Sequence, residues 1–352
     1  MAIYLNNLAL LLSDTNRFGE AEPLYRPALA IDEARTGPDH PSVATRLNNL
    51  AILLQDTNRL GEAEPLYRRA LAINEASYGP DHPDVARNLN NLACLLRDTN
   101  RFGEAEPHFR RALAILEASY GPDHPNVARG LNSLARLFQA ANRFGEAEPL
   151  YRRALAIFEA SLGPGHPNVA RDLNDLARLL QATNRLGEAE PLYRRALAIA
   201  EASYGPDHPN VAIGLNNLAC LLLDTNRLDE AEPLFRRALA TDEASYGPDH
   251  PSVAKDLNNL AGLLLDTNRL GEAEPLCRRA LAIVEASYGP DHPKVAMVLN
   301  NLVELLRATK RLGEAESLYR RALAISEASY GPNHPQTKRA RKNLAVLEAK
   351  RQ

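Results

Sequence analysis

Apolar residues recur along this chain in steps of three and four. Between residues 41 and 56 they fall at Val43, Leu47, Leu50, Ala51 and Leu54, the spacing of one helix face. The stretch predicts a helix, helix A, entered through Pro41, whose missing N–H costs nothing in a first turn. Asp39 or His40 is its cap, and the sequence leaves both open. Asn58 and Gly61 then mark a tight turn. A second helix, helix B, carries Ala63, Leu66, Tyr67, Ala70, Leu71 and Ile73 on its apolar face. A start at Glu62 places Pro65 in the first turn, where proline is tolerated, and Gly79 followed by Pro80 ends the helix. Glu64 and Arg68 stand four apart with Glu first, the better orientation for a surface ion pair.

The same pattern returns every 42 residues; eight copies fill residues 1–336 and leave 16 residues over. Of the 24 prolines, 23 sit at three phases of the repeat, and the Glu64–Arg68 pair recurs from Glu22–Arg26 to Glu316–Arg320. Self-similarity at such a period marks a solenoid, not the two or three globular domains that 352 residues would otherwise indicate. Ala51, Ala63 and Ala70 let the paired helices approach, and Tyr67 fills the space between them. Residues 337–352 begin a ninth helix A with altered chemistry. Asn343, Leu344, Ala345 and Leu347 keep the inward face, while Lys338, Arg341 and Glu348 replace an Ala and two Leu. The expectation is one solenoid over 1–336, closed by a solvating cap helix over 337–352. Met1 falls inside the first helix A with no cap before it. Truncation or a poorly ordered first turn is the preferred reading; weak oligomerisation of the monomer through that open end is the alternative.

Leu47, Leu50, Ala51, Leu54, Ala63, Tyr67 and Ala70 follow the order of the key positions of the tetratricopeptide repeat, which the unit resembles. Leu stands at that family's large aromatic early in helix A, Ala stands at its helix A glycine, and the unit is about eight residues longer. The extra length lies in Ser-Tyr-Gly-Pro-Asp-His-Pro. With Gly-Pro-Asp-His-Pro before helix A and Leu-Asn-Asn-Leu-Ala within it, the unit is similar to the kinesin light chain type of repeat across nearly the whole chain. That type's heptad coiled coil is absent, so the resemblance implies the module and not kinesin biology. It implies an all-α fold, a right-handed superhelical solenoid of antiparallel helix pairs. It also implies a non-enzymatic protein–protein interaction scaffold with a concave groove lined by helix A, or the sensor part of a larger signalling protein. A structural, self-assembling solenoid is a further reading.

Composition narrows the remaining classes. Apolar residues make up 45% of the chain, enough for a core, and the net charge of -3 excludes a generally basic coat for nucleic acid. Three cysteines are too few for a disulfide scaffold; Cys94 and Cys220 share one repeat phase and Cys277 stands at a Tyr or Phe phase. Reduced thiols point to the cytoplasm, and near-identical copies point to recent duplication, common in bacterial genomes. No stretch is long and apolar enough to span a membrane. Eight of nine histidines share one phase, from His40 to His334, and are spread along the repeats instead of converging as metal ligands must. They read as loop-ordering residues, and His108 reads as surface. No phosphate loop, dinucleotide fingerprint or nucleophile elbow is present, so no enzyme activity, cofactor or metal is expected.

Function then rests on positions that vary between repeats. Opposite the apolar arc of helix A lie the phases of Thr45, Asn48, Ile52 and Gln55, which in the tetratricopeptide family line the groove. The Asn48 phase is invariant: Asn6, Asn48, Asn90, Asn132, Asn174, Asn216, Asn258 and Asn300. In the kinesin light chain type such asparagines bond a peptide backbone; the alternative is an amide that bonds a neighbouring helix and sets repeat geometry. The Asn49 phase is read as structural. Repeats three to five place Arg87, Arg97, Arg129, Arg136, Arg171 and Arg178 on this face without partners. Repeats six to eight add Ile213, Cys220, Leu223, Leu265 and Met297, and the Thr45 phase also holds Lys255. Arginines beside apolar groups predict a partner that is an extended, acidic peptide with an apolar anchor.

Overall fold

The chain is a succession of α-helices in antiparallel pairs in the computed structural model, which describes residues 1–351 and the side chains of 1–347. Two compact units are present. The first, Met1–Pro164, holds α1 (Ala2–Asp14), α2 (Phe18–Thr36), α3 (Pro41–Asp56), α4 (Leu60–Tyr78), α5 (Pro83–Asp98), α6 (Phe102–Tyr120), α7 (Pro125–Ala140) and α8 (Phe144–Leu162). The second, Gly165–Gln352, holds α9 (Pro167–Ala182), α10 (Leu186–Tyr204), α11 (Pro209–Asp224), α12 (Leu228–Tyr246), α13 (Pro251–Asp266), α14 (Leu270–Tyr288), α15 (Pro293–Ala308), α16 (Leu312–Tyr330) and α17 (Pro335–Arg351). Odd-numbered helices are helices A and even-numbered ones are helices B. Within each unit every helix packs on its sequence neighbours.

The core sits where the sequence pattern places it. Leu47, Leu50, Ala51 and Leu54 of α3 meet Ala63, Tyr67 and Ala70 of α4, all buried. The small alanines keep the backbones close, and the Tyr67 ring fills the gap. The turn between A and B closes through Arg59 N–H donating to Leu54 O at 2.7 Å. Asn58 there adopts φ 60°, the left-handed region that Asn tolerates better than most residues. Seven turns use Asn and the eighth uses Lys310 at the same φ. Helix B ends at Gly79, whose φ of 87° suits glycine.

Two details differ from expectation. α4 begins at Leu60 and not at Glu62, so Pro65 falls in the second turn. It removes a helix hydrogen bond there, at a face where Gly61 and Pro65 are exposed and water can replace it. At the last helix, Lys338 and Arg341 are exposed and Leu347 is buried, but Ala345 is exposed and Asn343 and Leu344 are half-buried. In earlier repeats the Ala345 phase packs on a following helix B, and none follows among the described residues. Thr337, fully buried, anchors α17 by donating to Ser326 O at 3.1 Å. Glu348 lies outside the described side chains. At the other end α1 is helical from Ala2.

His40, not Asp39, caps α3: its Nδ1 accepts the Ser42 amide at 3.1 Å, spanning Pro41. All eight equivalent histidines cap in this way. In most repeats the imidazole also stacks on the last residue of helix B, as Tyr78 does on His82 with ring centroids 4.6 Å apart.

Helices B are tied along their solvated faces by ion pairs. Arg59 holds Glu62 with two parallel bonds of 2.7 Å and reaches Glu22 of the preceding helix B at 2.7 Å. The unit recurs as Arg101 with Glu104 and Glu64, and as Arg269 with Glu272 and Glu232. Hydrogen bonds from Arg59 hold Glu62 below the usual carboxylate range.

Candidate functional site

One helix A position is exposed in every repeat, that of Ile3, Thr45, Arg87, Arg129, Arg171, Ile213, Lys255 and Met297. In the second unit these varying residues line two cavities. The first, about 420 Å³, is bordered by Arg171, Asn174, Asp175 and Arg178 of α9, Ala200 and Tyr204 of α10, Asn210, Ile213 and Asn217 of α11, and Lys255 of α13. The second, about 460 Å³, is bordered by Lys255, Asn258 and Asn259 of α13, Val284 and Tyr288 of α14, and Lys294, Met297 and Val298 of α15. The first is lined about equally by polar and apolar surface, with three cations and Asp175. The second is mostly apolar, with lysines at its edge, and the Lys294 ammonium lies 3.9 Å from the Tyr288 ring centroid. Lys255 borders both.

The arginines of this face are not unpartnered, which corrects the sequence reading. Arg87 pairs with Asp84 at 3.0 Å, Arg97 with Asp98 at 2.8 Å and Arg178 with Asp175 at 2.8 Å. Arg171 stands 3.8 Å from buried Asp172, and Arg136 is half-buried with partners of its own. Arg129 donates to the neutral Asn126 side chain, which leaves its charge uncompensated by that bond. Each pair is formed within four residues along one helix, so the acidic partner lies in the sequence beside the arginine.

The asparagine ladder is also corrected in part. Asn48, Asn132 and Asn216 are buried. Asn48 Nδ2 donates to Asn88 Oδ1 at 3.0 Å, and Asn216 Nδ2 donates to Asp256 Oδ1 at 2.7 Å, each on the next helix A. The Asn49 phase answers in the other direction: Asn259 donates to Asn216 Oδ1 and Asn217 to Asn174 Oδ1. These amides set the spacing of helices A. Asn174 and Asn258 are half-buried and still line the cavities. Asn90 is half-buried, 3.9 Å from Cys94 Sγ, and Asn300 is exposed with its amide on Met297 O.

The Gln55 phase belongs to the scaffold as well. Tyr67 Oη donates to Gln55 Oε1 at 3.0 Å, as Tyr151 does to Gln139 and Tyr193 to Gln181. Where helix B carries Phe109, Phe235 or Cys277, which have no hydroxyl, the position twelve residues before holds Arg97, Leu223 or Leu265 and never Gln. Both leucines are half-buried, and neither lines a cavity above. This twelve-residue covariation was the signal in the sequence that separates them from the ligand face. Tyr204 and Tyr288, which do line the cavities, escaped sequence reasoning because the tyrosine phase hardly varies and constancy was equated with scaffold; Lys294 stands at a varying phase in the first turn of helix A, outside the four phases taken as the groove.

The three cysteines are held as thiols. Burial pushes the Cys94 and Cys220 thiols up, and Cys277 to about 11, away from the reactive thiolate. His108 is half-buried rather than on the surface; burial, with Arg68 and Arg111, lowers it. Among the described residues no group of three or more potential metal ligands converges, and no helix is long and apolar enough to cross a membrane.

Comparison with known proteins agrees with this architecture. The tetratricopeptide repeat model matches residues 1–76, 47–118, 101–160, 143–202, 173–244, 222–276, 257–328 and 294–352. No curated protein sequence matches the chain. Among solved structures, BtubC (BKLC) from P. vanneervenii is 26% identical over 68% of this chain and 93% of its own, with a TM-score of 0.51. A Podosopora anserina protein of nearly identical TPR-like repeats, assigned to the kinesin light chains, is similar in a form that carries one substitution. It is 24% identical over 58% of this chain and 97% of its own, with a TM-score of 0.50. A Rap protein complexed with competence and sporulation factor shares the fold at 16% identity, covering 99% of this chain and 98% of its own, with a TM-score of 0.57. The family model spans the whole chain, and the chain is a member of the tetratricopeptide repeat family.

Proposed function

We propose that this protein is a non-catalytic scaffold, and that the helix A face of its second unit binds an extended, acidic peptide with an apolar anchor. The observation that carries the reading is that residues of one varying repeat position line the cavities: Arg171 and Ile213 the first, Met297 the second, and Lys255 both. A scaffold residue repeats; a residue that recognises a ligand differs from copy to copy. Carboxylates of the peptide pair with Arg171 and Lys255, and its apolar side chain enters beside Val284, Met297 and Val298. Arg178 stays on Asp175, whose carboxylate is buried, and can offer its remaining N–H groups to a ligand carboxylate without leaving it. Each charge-assisted bond contributes roughly 1–3 kcal/mol. The first unit offers Arg87 and Arg129 at the same exposed position.

The test is a peptide array of acidic, neutral and basic sequences, with and without an apolar residue, probed with wild type and with Arg171→Glu/Lys255→Glu. Acidic peptides bearing an apolar residue are expected to be retained by the wild type and lost at least tenfold in the variant. Retention without regard to peptide charge, or an unaffected variant, overturns the reading.

A further inference from the structure

At the joints between repeats within each unit, one residue of helix B and one of the next helix A, fourteen residues later, form a pair that differs from joint to joint. Asp32 faces Arg46, bonded at 2.8 Å and buried. Asn74 and Asn88 occupy the same two positions, as do Val284 and Val298. At the joint of α12 and α13 the positions hold two acids, Asp242 and Asp256, respectively 5% and 1% exposed. Asp256 Oδ1 accepts from Asn216, while Asp256 Oδ2 and Asp242 Oδ1 are buried with no donor among the described residues. Two buried carboxylates cannot both stay charged at such a joint, and an orphaned acceptor on each calls for a hydrogen between them.

We propose that Asp242 and Asp256 share a proton whose loss loosens the docking of α13 on α12, so that this joint, unlike one held by a neutral or oppositely charged pair, opens as pH rises. The surroundings supply little compensation. From α11 comes the neutral amide of Asn216. α12 adds Tyr246, on which the His250 cap stacks at 4.2 Å, and Glu243, which is engaged by Arg279 of α14. α13 adds Lys255, which is exposed, and α14 and α15 share an apolar cluster with α13 through Ala280, Ile283, Val295 and Leu299. Burial, then the neighbouring Asp242 charge, raises Asp256 to about 7, and burial raises Asp242. A folded-state value above the unfolded one means that the stabilisation is complete below about 4 and is lost as pH rises through about 7.

Hydrogen exchange of the α11–α13 amides between pH 5.5 and 8.5, corrected for intrinsic rates, tests this in the intact chain. The opening constant of the joint is expected to rise by up to about tenfold per pH unit above the point of proton loss. Asp242→Asn/Asp256→Asn, which copies the pair at 74 and 88, is expected to be flat over the same range. Equal pH dependence in wild type and variant overturns the proposal. The carboxyl ¹³C shift of Asp256 in the wild type decides independently of whether the variant folds: titration near neutrality supports the shared proton, and titration near 4 overturns it.

Discussion

Lys310 does at the last A–B turn what Asn58 does at the second, with φ 60° in each case. A lysine side chain has no local hydrogen bond to offset the left-handed backbone, so Lys310→Asn is expected to raise stability by about 0.5–1 kcal/mol in denaturant titrations. The capping histidines follow another local rule. Nδ1 accepts an amide proton only while the ring is neutral, and burial lowers His250 and His334. Their contribution is therefore present above the unfolded value near 6.5 and is lost as pH falls below it through the lowered folded-state value. His250→Asn keeps a capping acceptor that does not titrate, and should flatten the fall in urea midpoint between pH 7 and 5. The cap was only half legible in sequence. Asp39 and His40 stand side by side before Pro41, and geometry alone selects the imidazole.

At the level of the helix pair, much was readable because burial follows period: Leu47, Leu50, Ala51 and Leu54 face inward as the steps of three and four require. The ligand face was less readable. On a helical wheel Asn48 lies opposite the core of its own pair, yet the neighbouring helix A covers it. A wheel describes one helix and cannot show a second neighbour. The joint positions fourteen apart also shape the cavities: Ala200 borders the first, and Val284 and Val298 the second. Ala200→Leu opposite Gly214 reproduces the pairing of Leu116 with Gly130 in the first unit, where Leu116 Cδ1 lies 3.2 Å from where a Cβ at 130 would stand. The variant is expected to fill the first cavity and cut acidic-peptide binding at least tenfold. Its unfolding free energy should stay within about 1 kcal/mol of the wild type, because the added side chain enters open cavity space instead of a packed core.

Over the whole chain, the ion-paired glutamates, the caps and the acidic joint titrate in different directions. Arg59 keeps Glu62 low, so its stabilisation is lost as pH falls below about 4.5, whereas the Asp242–Asp256 pair loses its stabilisation as pH rises through about 7. Stability measured by denaturant midpoint is expected to peak between these limits, with histidine caps shaping the acid side.

The pairing of residues fourteen apart across each joint also governs how such a gene can shorten. Removing residues 257–298 takes out one whole period, and the seam falls inside a hairpin; Asp242 keeps Asp256, and every other joint keeps its match. Removing residues 243–284 deletes as many residues but moves the seam to the joint, setting Asp242 against Val298, where no partner can share its proton. The second deletion should be less stable than the first by about 1–3 kcal/mol in urea titrations. A cut that falls between the joint residue of a helix A and that of its own helix B thus leaves every remaining pair matched.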